Sequence, residues 1–430
     1  MIRRTLALPL VLALLAPAAA SAQWQPQTSL TGDVAGVLRP QVLFSARGDK
    51  IVGYGVNGRF AYARTLPGQD TPFYQRITTT TDVSARLLTY ATDRILLVSQ
   101  TASRIPSELG VRFGSVGGGV GPVRRIAPGH DVLRYDAAIN AKGDAAVAYI
   151  RIVRGADNVV RQRQVVVVRR PAGGAFGHPE TIAGSGGPLS VAVAMAPSGE
   201  IAVAYERSGR VEVRRRERGH SWHSSQQITY GAKGHTQLAL AAGGDGSFAL
   251  ASFSQNLSEG GDNGPASVRV ATRSAGGHAF HSARLFETYS ERAPQEAGVR
   301  VALASDGTGV VGWTGRQDGR FVARAADVGG VVARTVSSPA ADAVLGDVSA
   351  GPGGAAAAIW SPPLDTAPPQ VFAAVRDDEG VFGPPEAVGT PQREVTTPAI
   401  GIDPRTHRPL AAWVGRTGQR TQAILAALRA

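Results

Sequence analysis

The 430-residue chain has no cysteine, which excludes a disulfide framework and a lipid-anchored lipobox alike. Lysine is nearly missing: Lys50, Lys142 and Lys233 are the only ones. Long apolar runs are scarce too. The stretch from Leu6 to Ala16 is the strongest, and it falls short of the roughly 18 residues that a transmembrane helix needs. No G-x-S-x-G elbow and no phosphate-binding P-loop occurs, so two common routes to catalysis have no sequence support. Aromatic residues make up 6% of the chain, against 53 glycines and 27 prolines, a balance that suits many turns and thin, closely stacked sheets.

The first residues, Met1-Ile-Arg-Arg, the apolar run and the small residues Ala20-Ser-Ala22 together form a charged n-region, a short h-region and an A-x-A site. Residues 1–22 are therefore expected to be a secretory signal peptide, cut between Ala22 and Gln23, with the product secreted to the exterior or the cell envelope. Arg3-Arg4 raises a twin-arginine route, but the very apolar h-region favours ordinary secretion. Formal charge is +12. A basic surface can attract polyanions, yet an excess carried almost wholly by arginine is also what coding bias in a GC-rich genome produces. No nucleic-acid partner, membrane span, metal or cofactor is expected, and the chain is expected to be a monomer.

Internal repetition organises everything after residue 22. In Ser190-Val-Ala-Val-Ala-Met-Ala-Pro-Ser-Gly-Glu-Ile-Ala-Val-Ala-Tyr205, two alternating strands flank a Pro-Ser-Gly turn. The turn glycine and an aromatic six residues later recur as Gly48/Tyr54, Gly143/Tyr149, Gly199/Tyr205, Gly307/Trp313 and Gly354/Trp360. Gly246/Ser252 keeps the glycine, His407/Trp413 keeps the aromatic, and Asp93/Ser99 keeps only the flanking strands. The spacing averages about 51 residues, which is propeller-like. Each unit continues into a third strand, such as Gln164-Val-Val-Val-Val-Arg, and then a fourth-strand signature, such as Phe176-Gly-His-Pro-Glu-Thr-Ile. The last unit stops after its third strand, whereas Trp24-Gln-Pro-Gln-Thr-Ser-Leu carries the fourth-strand signature with nothing before it. The expected fold is all-β: one propeller over 23–430 with eight four-stranded blades. Residues 23–32 would complete the last blade and close the ring. Seven blades is the runner-up, should the weak unit at 84–130 not form.

Turn-Gly strands followed by Phe-Gly-x-Pro-x-x-Ile/Leu resemble the repeats of secreted bacterial propellers of the sialidase-like, BNR type. The resemblance covers the expected mature chain at scaffold positions. It departs from that pattern at the Asp-box, since Ser305-Asp-Gly-Thr-Gly-Val-Val-Gly-Trp does not match Ser-x-Asp-x-Gly-x-x-Trp. It departs again in blade number, because sialidases resemble six-bladed rings.

The tryptophans all fall at repeat positions, which favours packing between blades over a sugar platform. His220-Ser-Trp-His223 and His278-Ala-Phe-His281 share one repeat position, and no acidic partner joins them as a zinc site would require. No residue is singled out as catalytic. The loops between second and third strands vary in length, and variable loops on a uniform scaffold are where binding usually lives. On that face the candidate ligand-binding residues are Arg104, Glu108, Arg154, Asp157, Glu259, Asp262, Arg316, Asp318 and Asp365. The expected function is a secreted module binding a glycan, cell-wall polymer or protein. The rival is a sialidase-like glycoside hydrolase, which would need paired carboxylates and an arginine cluster in one pocket.

Overall fold

The computed structural model describes residues 23–430 apart from 32–36, 58, 68, 70–72, 77–81, 102–106, 185, 231–233, 258–262, 290–297, 364–368, 377–379 and 417–421. The expected signal peptide lies outside the described residues.

The repeat begins with its turn. Ala196 N–H reaches Glu200 O at 2.9 Å and Gly199 N–H reaches Ala196 O at 2.9 Å, closing a three-residue hairpin loop. Such a loop ends on a residue at positive φ, and Gly199 sits at φ +89°. His407 takes the matching left-handed conformation without glycine, at φ 58°, inside the longer turn Asp403–Arg408.

From each turn the chain builds an antiparallel sheet. Blade 4 runs Val191–Met195, Ile201–Arg207, Arg210–Arg216 and Gln226–Tyr230, each strand beside the one before it. Eight sheets of this kind form the ring, an eight-bladed β-propeller. The weak unit is a true blade, of Asp82–Tyr90, Arg94–Thr101, Leu109–Ser115 and the two-residue Arg124–Arg125, with an added hairpin strand Gly119–Val120. That added hairpin and the stunted outer strand account for its missing signature.

Alternation sends successive side chains to opposite neighbours. In blade 3, Ala145, Val147 and Tyr149 pack toward blade 2, while Ala146, Ala148 and Ile150 pack toward blade 4. Each of the eight apolar clusters spans one pair of adjacent blades, including the pair formed by the last blade and the first. The core is thus a ring of eight seams. Tyr54, Tyr149, Tyr205, Trp313, Trp360 and Trp413, the aromatics six residues after each turn, are all buried in it.

Two sequence expectations shift. The fourth strand begins four residues after the signature aromatic: Phe176 precedes Glu180–Ala183, Trp222 precedes Gln226–Tyr230, and Phe382 precedes Glu386–Val388. The signature is a lead-in held by one main-chain bond, as where Gly177 N–H meets Arg169 O at 2.8 Å and His223 N–H meets Arg215 O at 2.9 Å. The N-terminal segment copies this geometry. Gln25 N–H meets Leu428 O at 2.8 Å, and Thr28–Ser29 pairs with Ala426 and Leu425 to close blade 8. Second, the long loop at 151–163 is mostly strand: Ala145–Arg154 and Val160–Arg170 form one tall hairpin, closed by Gly155 N–H to Val159 O at 2.9 Å. Phe248–Leu257 and Asn263–Arg273 extend in the same way.

Candidate functional site

The innermost strand of every blade borders the axis. In blades 7, 8, 1, 2 and 3, a contiguous arc, this strand carries a β-bulge opposite the second strand. The innermost strands of blades 4, 5 and 6 pair without a shift. A bulge inserts an unpaired residue and re-aims side chains, and it recurs beside binding sites. Here it lies in the upstream half of the strand, toward the face where the chain enters each blade.

Seven residues before each turn mark, these mostly apolar strands carry a polar residue in five blades: Gln41, Arg86, Asp136, Arg300 and Asp347. Three of them satisfy the next blade's main chain. Gln41 accepts from Leu87 N–H at 2.9 Å and donates to Ala85 O at 2.6 Å. Asp136 accepts from Val193 N–H at 2.8 Å, and Asp347 accepts from Val348 N–H at 3.0 Å and Ile400 N–H at 3.5 Å. They are interblade clamps.

The two arginines stand in matched places, each one blade before an aspartate. Arg86 closes an ion pair with Asp136. Arg300, one blade before Asp347, instead donates to Val299 O at 2.9 Å. Arg39 of blade 1 enters the same space and donates to Gly346 O. Arg39 repels the Arg300 guanidinium and, together with burial, holds it well below its ordinary range, at about 9; Asp347 opposes the shift. Burial pushes the Asp347 carboxyl up, against the pull of Arg39 and Arg300. Arg39, Arg86, Arg300, Gln41, Tyr135 and Asp347 border a cavity of about 510 Å³. Three cations thus meet two carboxylates that main-chain N–H groups already occupy, and an added anion would relieve the repulsion.

Of the residues expected from the loops, the five described ones lie elsewhere. Arg104, Glu259, Asp262 and Asp365 are outside the described residues. Glu108 accepts from Gly129 N–H at 3.2 Å and pairs with Arg125 at 3.2 Å. Arg154 pairs with Asp131 at 3.0 Å, while Asp157, at the tip of the same hairpin, pairs with Arg161 at 2.5 Å. Arg316 donates to Gly319 O at 3.0 Å and stacks over Phe321 at 4.6 Å, next to Asp318 in its turn at φ 50°. Glu108, Arg154, Asp157 and Arg316 are each engaged within their own blade or with the adjoining connection, and none of the five borders the cavity of the axial arginines. On this face His130 places Nδ1 2.6 Å from Tyr149 OH and Nε2 3.0 Å from Arg151 Nη1.

A second set of arginines lies at the ends of the third strands. The last position of the third strand, or the residue after it, is arginine in five blades: Arg170, Arg216, Arg273, Arg376 and Arg429. Arg170 donates to Gly143 O at 2.7 Å and Gly174 O at 2.9 Å, tying the first-to-second and third-to-fourth strand turns together. Arg273 does the same to Gly246 O at 3.2 Å and Gly277 O at 2.6 Å. Arg376 donates to Gly354 O at 2.6 Å. Part of the arginine excess is therefore a repeat-level staple. The signal was an arginine six or seven residues before the signature aromatic in blades 3, 4, 5 and 7.

A tyrosine beside a carboxylate does occur. Tyr205 OH donates to Glu212 Oε2 at 3.0 Å, but Tyr205 is 1% exposed and lies in the seam between blades 3 and 4. Burial, first, and Glu212 push its phenol further up, away from the ionised form a nucleophile needs.

No protein-family model and no curated protein matches this chain. Among solved structures it is similar to an ulvan lyase, described as a new family of polysaccharide lyase, at 11% identity over 69% of this chain and 80% of that one, with a TM-score of 0.47. It is also similar to a protein of unknown function from Dyadobacter fermentans, at 11% identity over 94% and 98% of the two chains and a TM-score of 0.42. The NanB sialidase of Streptococcus pneumoniae is similar at 8% identity over 89% and 83%, with a TM-score of 0.44.

Proposed function

We propose that the protein is a secreted binding module whose axial mouth holds an anionic group of an extracellular glycan or envelope polymer. One observation carries the reading: Arg39, Arg86 and Arg300, from three blades, border one cavity in which Arg300 is not matched by a closed ion pair. Arginine's planar fork suits carboxylate and sulfate. The described carboxylates at the mouth are bound to main-chain N–H groups, which favours holding a ligand over cleaving one. Secretion rests on the residues of the 1–22 segment, and N-terminal sequencing of exported protein beginning at Gln23 would support it.

The test is an array of uronate-bearing, sulfated and neutral glycans probed with residues 23–430 and with Arg300→Gln. Binding to anionic members that drops at least tenfold in the variant supports the reading. Binding confined to neutral glycans, or unaffected by the substitution, removes it. A sialidase-like hydrolase is the second reading, favoured by the arginine convergence itself. Release of the fluorophore from a fluorogenic sialoside, abolished by Arg300→Gln, would establish it instead.

A further inference from the structure

We infer that the cleft at the seam between blade 8 and blade 1, on the face opposite the axial mouth, is a second anion site that takes the phosphoryl group of a small phosphate ester. The residue that closes the first-to-second strand turn decides this. Its main-chain oxygen completes the turn in blades 1 and 3 to 8, whereas its side chain varies: Asp49, Asp144 and Glu200 in blades 1, 3 and 4, Ser247, Thr308 and Ala355 in blades 5, 6 and 7, and Arg408 in blade 8, with Arg94 at the same position in blade 2. The acids of blades 3 and 4 face an arginine of the following blade. Asp144 lies 3.5 Å from Arg218, and Glu200 lies 2.6 Å from Arg273. Blades 2 and 8 reverse the sign at this place, and in blade 2 Arg94 lies 3.9 Å from the acid beside it, Asp93.

Around Arg408 gather Arg47, Lys50 and Arg405, bordering a cleft of about 320 Å³. Arg405 is fixed by donating to Arg47 O at 2.5 Å. The nearby acids are spent. Asp403 accepts from Arg405 N–H and from Thr406 Oγ1, both at 2.9 Å, and Asp49 is buried against Ser45 Oγ at 2.5 Å. Four cations against two committed carboxylates leave a surplus that a dianion neutralises and a single carboxylate does not. Arginine forks and a lysine point charge are together the usual complement of phosphate, and the volume suits one phosphoryl group on a body of a few atoms.

Calorimetric titration of residues 23–430 with glycerol phosphate tests this, beside sedimentation with phosphatidylglycerol vesicles. Saturable binding of glycerol phosphate, weakened at least tenfold by Arg408→Asp and unchanged by the axial Arg300→Gln, is the expected result. Arg408→Asp restores the sign found in blades 3 and 4, so it should fold; if it does not, the exposed Arg405→Gln gives the same readout. Absence of saturable binding, binding indifferent to both substitutions, or binding to vesicles without binding to glycerol phosphate would each overturn the inference. The axial reading can fail without touching this one, because the two variants act on opposite faces.

Discussion

The arginines at the axis and those at the ends of the third strands are one side chain used under opposite conditions. Arg273 is 3% exposed, yet it donates to Gly246 O and Gly277 O, pairs with Glu200 at 2.6 Å and stacks over Phe248 at 4.7 Å. Arg170 has two carbonyls and the Phe113 ring at 4.2 Å. Around these groups the fold supplies acceptors before it supplies burial, so the charge stabilises the blade. At the axis the supply is short. Arg39 and Arg300 face each other, and Asp347, which could neutralise one of them, is held by main-chain N–H groups of two blades. A guanidinium with matched acceptors belongs to the structure, and one facing a like charge in a cavity is available to a ligand.

Four experiments break or sharpen that contrast. The largest effect is expected from deleting residues 23–32. This removes Trp24, which bridges to Arg429, the closing strand, and buried Leu30, and should cost about 3–5 kcal/mol in denaturant unfolding. An unchanged unfolding midpoint would show that the ring does not depend on its closing strand. Next, Arg273→Ala leaves Glu200 with Arg215 alone, strands the Gly246 and Gly277 carbonyls, and should cost about 2–3 kcal/mol; a loss below about 1 kcal/mol would dissolve the distinction. Arg300→Gln should leave the melting temperature level or slightly higher while costing about 1.4 kcal/mol of ligand affinity, a tenfold change. A large drop in stability would make Arg300 structural after all.

The smallest effect concerns pH. Burial, then Arg151, lowers the His130 pKa below its ordinary 6.5. The unfolded chain therefore binds more protons than the fold in the window just below 6.5, and stability rises with pH there. The contribution is full above 6.5 and is lost as pH falls. Wild type should lose more melting temperature than His130→Gln between pH 7 and pH 5, and parallel losses would show that burial and Arg151 do not hold His130 neutral.

How much of this was legible depends on how local the cause is. The turn glycines and the aromatics six residues on were readable because a positive φ and a period of two act within a dozen residues. The closing segment was readable because Trp24-Gln-Pro-Gln-Thr-Ser-Leu repeats a pattern seen whole elsewhere. The axial site was only half visible. Gln41, Arg86, Asp136, Arg300 and Asp347 share one offset from the turn in apolar strands, and aligning the units on that offset would have picked them out. Their meeting across the axis would still have been hidden. Glu108, Arg154, Asp157 and Arg316 looked free in the sequence because the partners that hold them depend on hairpin geometry.

The sequence alone determined the blade and its closure, since each follows from short-range stereochemistry repeated along the chain, and left the number of copies at eight or seven until the weak unit proved to be a sheet. Tertiary structure alone decided which arginines are matched. Matching depends on what two blades place opposite one another at a seam or across the axis, and Arg39 and Arg300 become neighbours only when the ring closes.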